Sequence, residues 1–84
     1  MPPQVRNNAA AVAFGAALRE ARTARGIAQE ALAHLAGLDR TYISTLELGR
    51  NTPRLDTILA ITDALDIELV TMMLRVQEIL KSND

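Results

Sequence analysis

The 84-residue sequence has no cysteine and no tryptophan, and its aromatic content is Phe14 and Tyr42 alone. Without cysteine there is no disulfide framework, no thiolate nucleophile and no cysteine-ligated zinc site. No glycine-rich phosphate loop and no histidine–carboxylate cluster stands in the chain, so an enzyme is the least supported class, and no cofactor is implied. No apolar run approaches the ~20 residues that cross a bilayer. The first residues, Met-Pro-Pro-Gln-Val-Arg-Asn-Asn, lack an apolar segment and do not read as a signal peptide. These absences lead us to expect a cytoplasmic protein with no membrane partner. What fills the interior is Ala, Leu and Ile, a mixture that suits closely packed helices better than strands. The length allows one domain with one core, residues 1–84.

The net charge of −1 is low for a partner of nucleic acid, but it hides a split. Residues 1–54 carry seven arginines against Glu20, Glu30, Asp39 and Glu47, a balance of +3. Residues 55–84 carry Arg75 and Lys81 against six acids, a balance of −4. Such asymmetry suits one face for a polyanion and another turned away from it. A random surface distribution is the alternative.

Hydrophobic spacing predicts five helices and no strand. The first runs from about Asn8 to Arg25, with residues 1–7 as a flexible tail; Phe14, Leu18 and Ala21 share one face, and Gly26 ends it. The second covers about Gln29 to Ala36 and stops at Gly37, where glycine takes a left-handed turn cheaply. The third follows Asp39, whose carboxylate can cap an orphan N–H, and reaches about Leu48. The fourth spans about Leu55 to Leu65 behind the Arg50–Pro53 loop, with Leu55, Ile58, Leu59, Ile61 and Leu65 as its apolar stripe. The fifth spans about Ile67 to Lys81.

Residues 29–48, QEALAHLAGLDRTYISTLEL, carry the function. Two helices joined by so tight a turn cross steeply, and Ala33 is small enough for the crossing. Leu32, Ala36, Leu38, Ile43 and Leu46 point inward, leaving Arg40, Thr41, Ser44 and Thr45 on the outer face of the second helix. Hydrogen-bonding side chains at that N-terminal end are what a helix entering the major groove needs.

From Phe14 to about Met72, roughly two-thirds of the chain, the sequence resembles the Cro/CI-like (Xre-type) helix-turn-helix regulators. The run FGAALREARTARGIAQEALAHLAGLDRTYISTLELGRNTPRLDTILAITDALDI carries the likeness. LDRTYIS and the terminal EILKSND look like the controller proteins of restriction–modification systems. The resemblance implies an all-α, five-helix, lambda-repressor-like domain that binds a palindromic double-stranded DNA operator as a homodimer. It places Gln29 on a phosphate and against the recognition helix, and puts Arg40, Thr41 and Thr45 at base edges. Tyr42, Ser44, Arg50 and Asn51 then fall where the family contacts phosphates, and Arg22 and Glu47 form an ion pair between the first and third helices. The side-chain chemistry fits: Arg40 can bond guanine O6 and N7 bidentately, a threonine methyl can pack on thymine, and Arg50 adds charge without sequence information.

The chain departs from the pattern at Ala28, where a Ser or Thr cap is usual, and at Leu48–Gly49, where many members carry a basic residue or Asn. Both point to modest affinity per monomer and to reliance on dimerisation. Several residues also have plainer readings. The Arg22–Glu47 pair can be a structural bridge rather than a device that orients the recognition helix. Asp39 can accept from cytosine N4 or merely cap. Tyr42 can touch the sugar-phosphate or cover the helix junction. His34, with no second ligand, reads as an exposed helix position and not a metal site. Arg6, Arg19, Arg25 and Arg54 can flank DNA or lie solvated.

In the fifth helix, Leu69, Met73, Val76 and Leu80 make an apolar stripe, widened by Val70, Met72, Leu74 and Ile79. A domain this small cannot cover both sides of it, so an isologous dimer interface is expected there, against the alternative of an ordinary terminal core helix. Two-fold symmetry then sets the recognition helices about 34–36 Å apart. A second function class remains: an antitoxin-type protein that binds a toxin and represses its own operon.

Overall fold

The computed structural model describes residues 4–82, with side chains from Ala9 onward. The order is α1 (Gln4–Ala24), α2 (Gln29–Ala36), α3 (Arg40–Glu47), α4 (Leu55–Leu65) and α5 (Leu69–Ser82), with no strand among the described residues. The all-α expectation is met. α2 and α4 have the bounds read from the sequence, because each stops at a left-handed residue, Gly37 at φ 70° and Asp66 at φ 57°.

Two boundaries differ by more than one residue. α1 starts at Gln4, not near Asn8, so helical backbone takes in residues 4–7 of the segment expected as a tail; residues 1–3 lie outside the described residues. Asn7 and Asn8 cost a helix less than ~1 kcal/mol each and no breaker follows Pro3, so nothing halts the alanine-rich run. α5 starts at Leu69, not Ile67. The reason is the closure of α4: Asp66 N–H donates to Asp63 O and Ile67 N–H to Thr62 O, both at 3.0 Å. Residues 66 and 67 are thereby spent on ending one helix, and Ile67 packs on the core as that closure requires.

The core gathers Phe14, Ala17 and Leu18 of α1, Leu32 and Ala33 of α2, Ile43 and Leu46 of α3, Ile61 and Leu65 of α4, and Met72 of α5. α1 lies against α3 and α5, while α2 lies against α3 and α4. Every helix therefore contributes to one core, and α3 is clasped between α1 and α2 with one face left outside. Thr62, polar and buried, donates to Leu59 O at 3.1 Å. Arg25 does not stand free as a DNA-flanking side chain; its guanidinium donates to Leu65 O, a cation at the negative end of α4.

α5 corrects the stripe drawn from spacing. Met73 and Val76 pack on the core, so they are not chiefly outward. The exposed apolar side chains are instead Val70 at 60% and Leu74 at 54%, further round the helix. On α4 the stripe also splits: Ile61 and Leu65 are buried while Leu55 and Leu59 are exposed.

Candidate nucleic-acid interface

The turn between α2 and α3 is made by backbone alone. Gly37 N–H donates to His34 O at 3.3 Å and Leu38 N–H to Ala33 O at 2.8 Å, and Leu38 folds onto the core. α3 then begins with its bonds to the Asp39 carbonyl, from Tyr42 N–H at 3.0 Å and Ile43 N–H at 3.1 Å. With Ile43 and Leu46 buried, the helical period turns Arg40, Thr41, Ser44 and Thr45 away from the core. Arg40 and Thr41 are exposed, Ser44 and Thr45 half-buried. Tyr42 is half-buried and packed on the core, which favours its covering the helix junction. The Thr45 hydroxyl donates to Thr41 O at 2.8 Å, which commits its proton within the helix. Arg50 and Asn51 are exposed, and Arg50 N–H donates to Thr45 O at 3.1 Å, which seats the loop directly on the end of α3. His34, Arg19 and Arg54 are exposed; the Arg6 side chain lies outside the described residues. No metal-binding group of His, Asp and Glu occurs among the described residues.

Three N-cap positions lack side-chain bonds, Ala28, Asp39 and Arg54. Ala28 offers none, and Asp39, in extended backbone at the right place, makes none either. The capping role read for Asp39 is therefore corrected: the backbone carbonyl starts the helix and the carboxylate stays exposed.

The other end of α3 is held by a network. Arg22 Nε lies 2.5 Å from Glu47 Oε2 and Nη2 3.0 Å from Oε1, a two-pronged pair whose Glu47 side chain is only 4% exposed. Arg22 Nη1 also donates to Ile27 O at 2.8 Å, and Gln29 Nε2 donates to Glu47 Oε1 at 3.0 Å. Gln29 thus braces α3 through Glu47. Burial pushes the Glu47 carboxyl up, but donation from Arg22 and Gln29 and the nearby charges of Arg22 and Arg19 outweigh it. Its pKa lies below the ordinary value of 4.5. Arg22 is raised, chiefly by its bond to Glu47. The arrangement is a fixed ionic anchor; neither group is poised for proton transfer.

The helix-turn-helix family model matches residues 18–71, which takes in α2, the turn, α3 and α4. The chain belongs to this helix-turn-helix family. Among solved structures it is similar to the restriction-modification controller protein C.AhdI from Aeromonas hydrophila, at 48% identity and TM-score 0.72 over 74% of this chain and 94% of that one. The controller C.Esp1396I shares the fold at 23% identity and TM-score 0.81, over 87% of this chain and 95% of that one. The clp gene regulator ClgR from Corynebacterium glutamicum shares it at 24% identity and TM-score 0.85, over 88% and 79%. Among curated proteins no sequence matches the chain. The protein is a helix-turn-helix DNA-binding transcriptional regulator, a family without enzymatic chemistry. No helix among the described residues is long and apolar enough to cross a membrane.

In this helix-turn-helix protein two glycines set how close α1 comes to α3. A Cβ on Gly15 would overlap the carbonyl oxygen of Leu46 and lie 2.8 Å from that of Glu47. A Cβ on Gly49, at φ 73°, would sit 2.9 Å from Val12 Cα. Gly49 is thus explained by contact within the fold: a side chain that could reach phosphate has no room here. Neither the close approach at Gly15 nor Glu47 as the partner of Gln29 is legible in the sequence. An isolated glycine inside an alanine-rich helix was the available signal for the first.

Proposed function

We propose that the protein reads a pseudo-palindromic operator as a homodimer, with Arg40, Thr41 and Thr45 at base edges, Gln29, Ser44, Arg50 and Asn51 toward the phosphates, and Tyr42, expected there by resemblance, covering the helix junction instead. The observation that carries this is the state of α3: its N-terminal side chains Arg40 and Thr41 are exposed, while Glu47 at its far end is anchored to Arg22 and Gln29. A reading helix needs both free contacts and a fixed aim. The 48% identity to C.AhdI supports a controller of restriction–modification genes that acts on its own operon, in the cytoplasm. Selection of bound sites from random duplexes tests the reading; a palindrome shared with the gene's upstream region supports it, and no enrichment sinks it. A toxin chain that co-purifies would turn the assignment to an antitoxin.

Within that reading, Arg40→Ala should relax preference at one base pair per half-site by roughly 1–3 kcal/mol and leave the rest of the site intact. Arg50→Ala should weaken binding to all sequences alike and lower the salt slope by about one. Equal losses on operator and random DNA for Arg40→Ala would remove Arg40 from the base-reading set.

The dimer is assigned to the α4–α5 face. Leu69, Met73, Val76 and Leu80 are half-buried, and Val70 and Leu74 continue the apolar surface outward. Leu59 and Leu69 line one shallow groove between the two helices. Leu69, Met73 and Leu80 then sit at the border between core and partner, with Val70 and Leu74 at the centre of the interface. Leu74→Glu should leave the helical content unchanged, convert the dimer to monomer by sedimentation, and weaken operator binding far more than binding to a half-site. A monomeric wild-type chain at micromolar concentration on its operator would refute the assignment.

A further inference from the structure

We propose that the Asp39 carboxylate is a specificity-determining group that accepts from an exocyclic amine in the major groove, cytosine N4 above all. The inference rests on the DNA-reading function of α3 and adds a residue of opposite charge to it.

An acid at the tip of a recognition helix needs a reason, because the DNA backbone repels it. The two usual reasons are absent among the described residues. Asp39 stands at the N-cap with φ −78° and ψ 140°, yet its side chain bonds to no N–H of α3. The first turn of that helix is supplied by the Asp39 carbonyl. No ion pair among the described residues includes Asp39, although Arg40 follows it directly; the paired acids lie elsewhere, at Glu20, Glu47, Asp56 and Glu78. The carboxylate is therefore exposed and uncommitted, one residue from the exposed Arg40, at the end of the helix that would meet the groove.

Base edges then decide what it tolerates. Guanine offers N7 and O6, thymine O4, all acceptors that repel a carboxylate. Adenine couples its N6 donor to the N7 acceptor, a pair that suits an amide better than an acid. Cytosine presents a donor alone. Asp39 would thus favour one base by attraction and reject the others by repulsion, beside a guanidinium that favours guanine. Specificity of this kind costs affinity, since the same charge opposes every phosphate.

The test is site selection from random duplexes at one fixed salt concentration, with the wild type, Asp39→Ala, Asp39→Ser and Asp39→Asn, together with affinity for random DNA and thermal stability. Asp39→Ala and Asp39→Ser should each lose about tenfold cytosine preference at one position per half-site, keep the other positions, and bind random DNA more tightly. Asp39→Asn should move that position toward adenine. Unchanged preference at every position, with stability lost in Asp39→Ala and restored by the good caps Ser and Asn, would make Asp39 a cap and overturn the proposal. A wild type that enriches no sequence would overturn the operator reading together with it, an outcome told apart from the former by the wild-type arm alone.

Discussion

Gly15→Ala should lower stability by about 2–3 kcal/mol, although alanine is the better helix former by ~1 kcal/mol. For a domain of this size that is a fall in melting temperature on the order of 10–20 °C. The cause lies in what the new methyl would meet. It would overlap the Leu46 carbonyl and crowd that of Glu47, and both are backbone atoms of α3 that cannot rotate aside. The relief open to the protein is to move α1 from α3, which opens the seam where Phe14, Leu18, Ile43 and Leu46 pack. Gly49→Ala should behave similarly, since it combines a positive φ with a 2.9 Å approach to Val12. Gly26→Ala is the control: its φ of 71° is strained, but nothing lies within 4 Å of the added carbon. Urea or thermal unfolding of the three variants should rank Gly15 and Gly49 well below Gly26. Equal, small losses at all three would mean that α1 and α3 are free to separate, and that the close approach has no energetic weight.

Those two glycines mark the limit of what the sequence makes legible. α2 and α4 can be delimited by inspection because local chemistry sets their ends: Gly37 on one side, Pro53 and Asp66 on the other. The faces of α3 follow from period alone, as Ile43 and Leu46 leave room for only one outer set. Contacts between segments far apart in the chain do not show in this way. Resemblance pairs Arg22 with Glu47, but nothing local announces that Gln29 donates to the same carboxylate or that Ile27 offers its carbonyl to Arg22. On α5, apolar residues cover more than half of the helix circumference, so periodicity cannot tell core from partner. The orientation of Met72 into the core decides it, and shifts the exposed surface toward Val70 and Leu74. Asp39 shows the converse: its position fits a cap, and only the missing side-chain bond reveals that the carboxylate is unused.

The second large effect concerns the anchor of α3. Glu47→Ala should cost about 3 kcal/mol or more, because it leaves the Arg22 guanidinium half-enclosed without its counter-charge and strands the Gln29 amide. Glu47→Gln keeps the shape and loses the charge, and should fall between the wild type and the alanine variant. The pH dependence follows from the same group. Its folded pKa is depressed below 4.5, so its contribution is complete above that value and is lost as pH falls through the folded pKa. Acid titration of unfolding free energy should therefore show a drop below about pH 4.5 that Glu47→Gln flattens; an unaltered acid limb in that variant would show that Glu47 is not the titrating group. Stability and aim can then be separated. Replacing the pair together, Arg22→Met with Glu47→Leu, removes both charges and fills the site with apolar volume, a change that is often neutral or stabilising. If the pair serves only cohesion, this double variant should bind operator like the wild type. We expect instead that it keeps its melting temperature but loses discrimination between operator and random DNA. An apolar contact can hold α3 against α1, but it lacks the two-pronged geometry that fixes the angle at which Arg40 and Thr41 are presented.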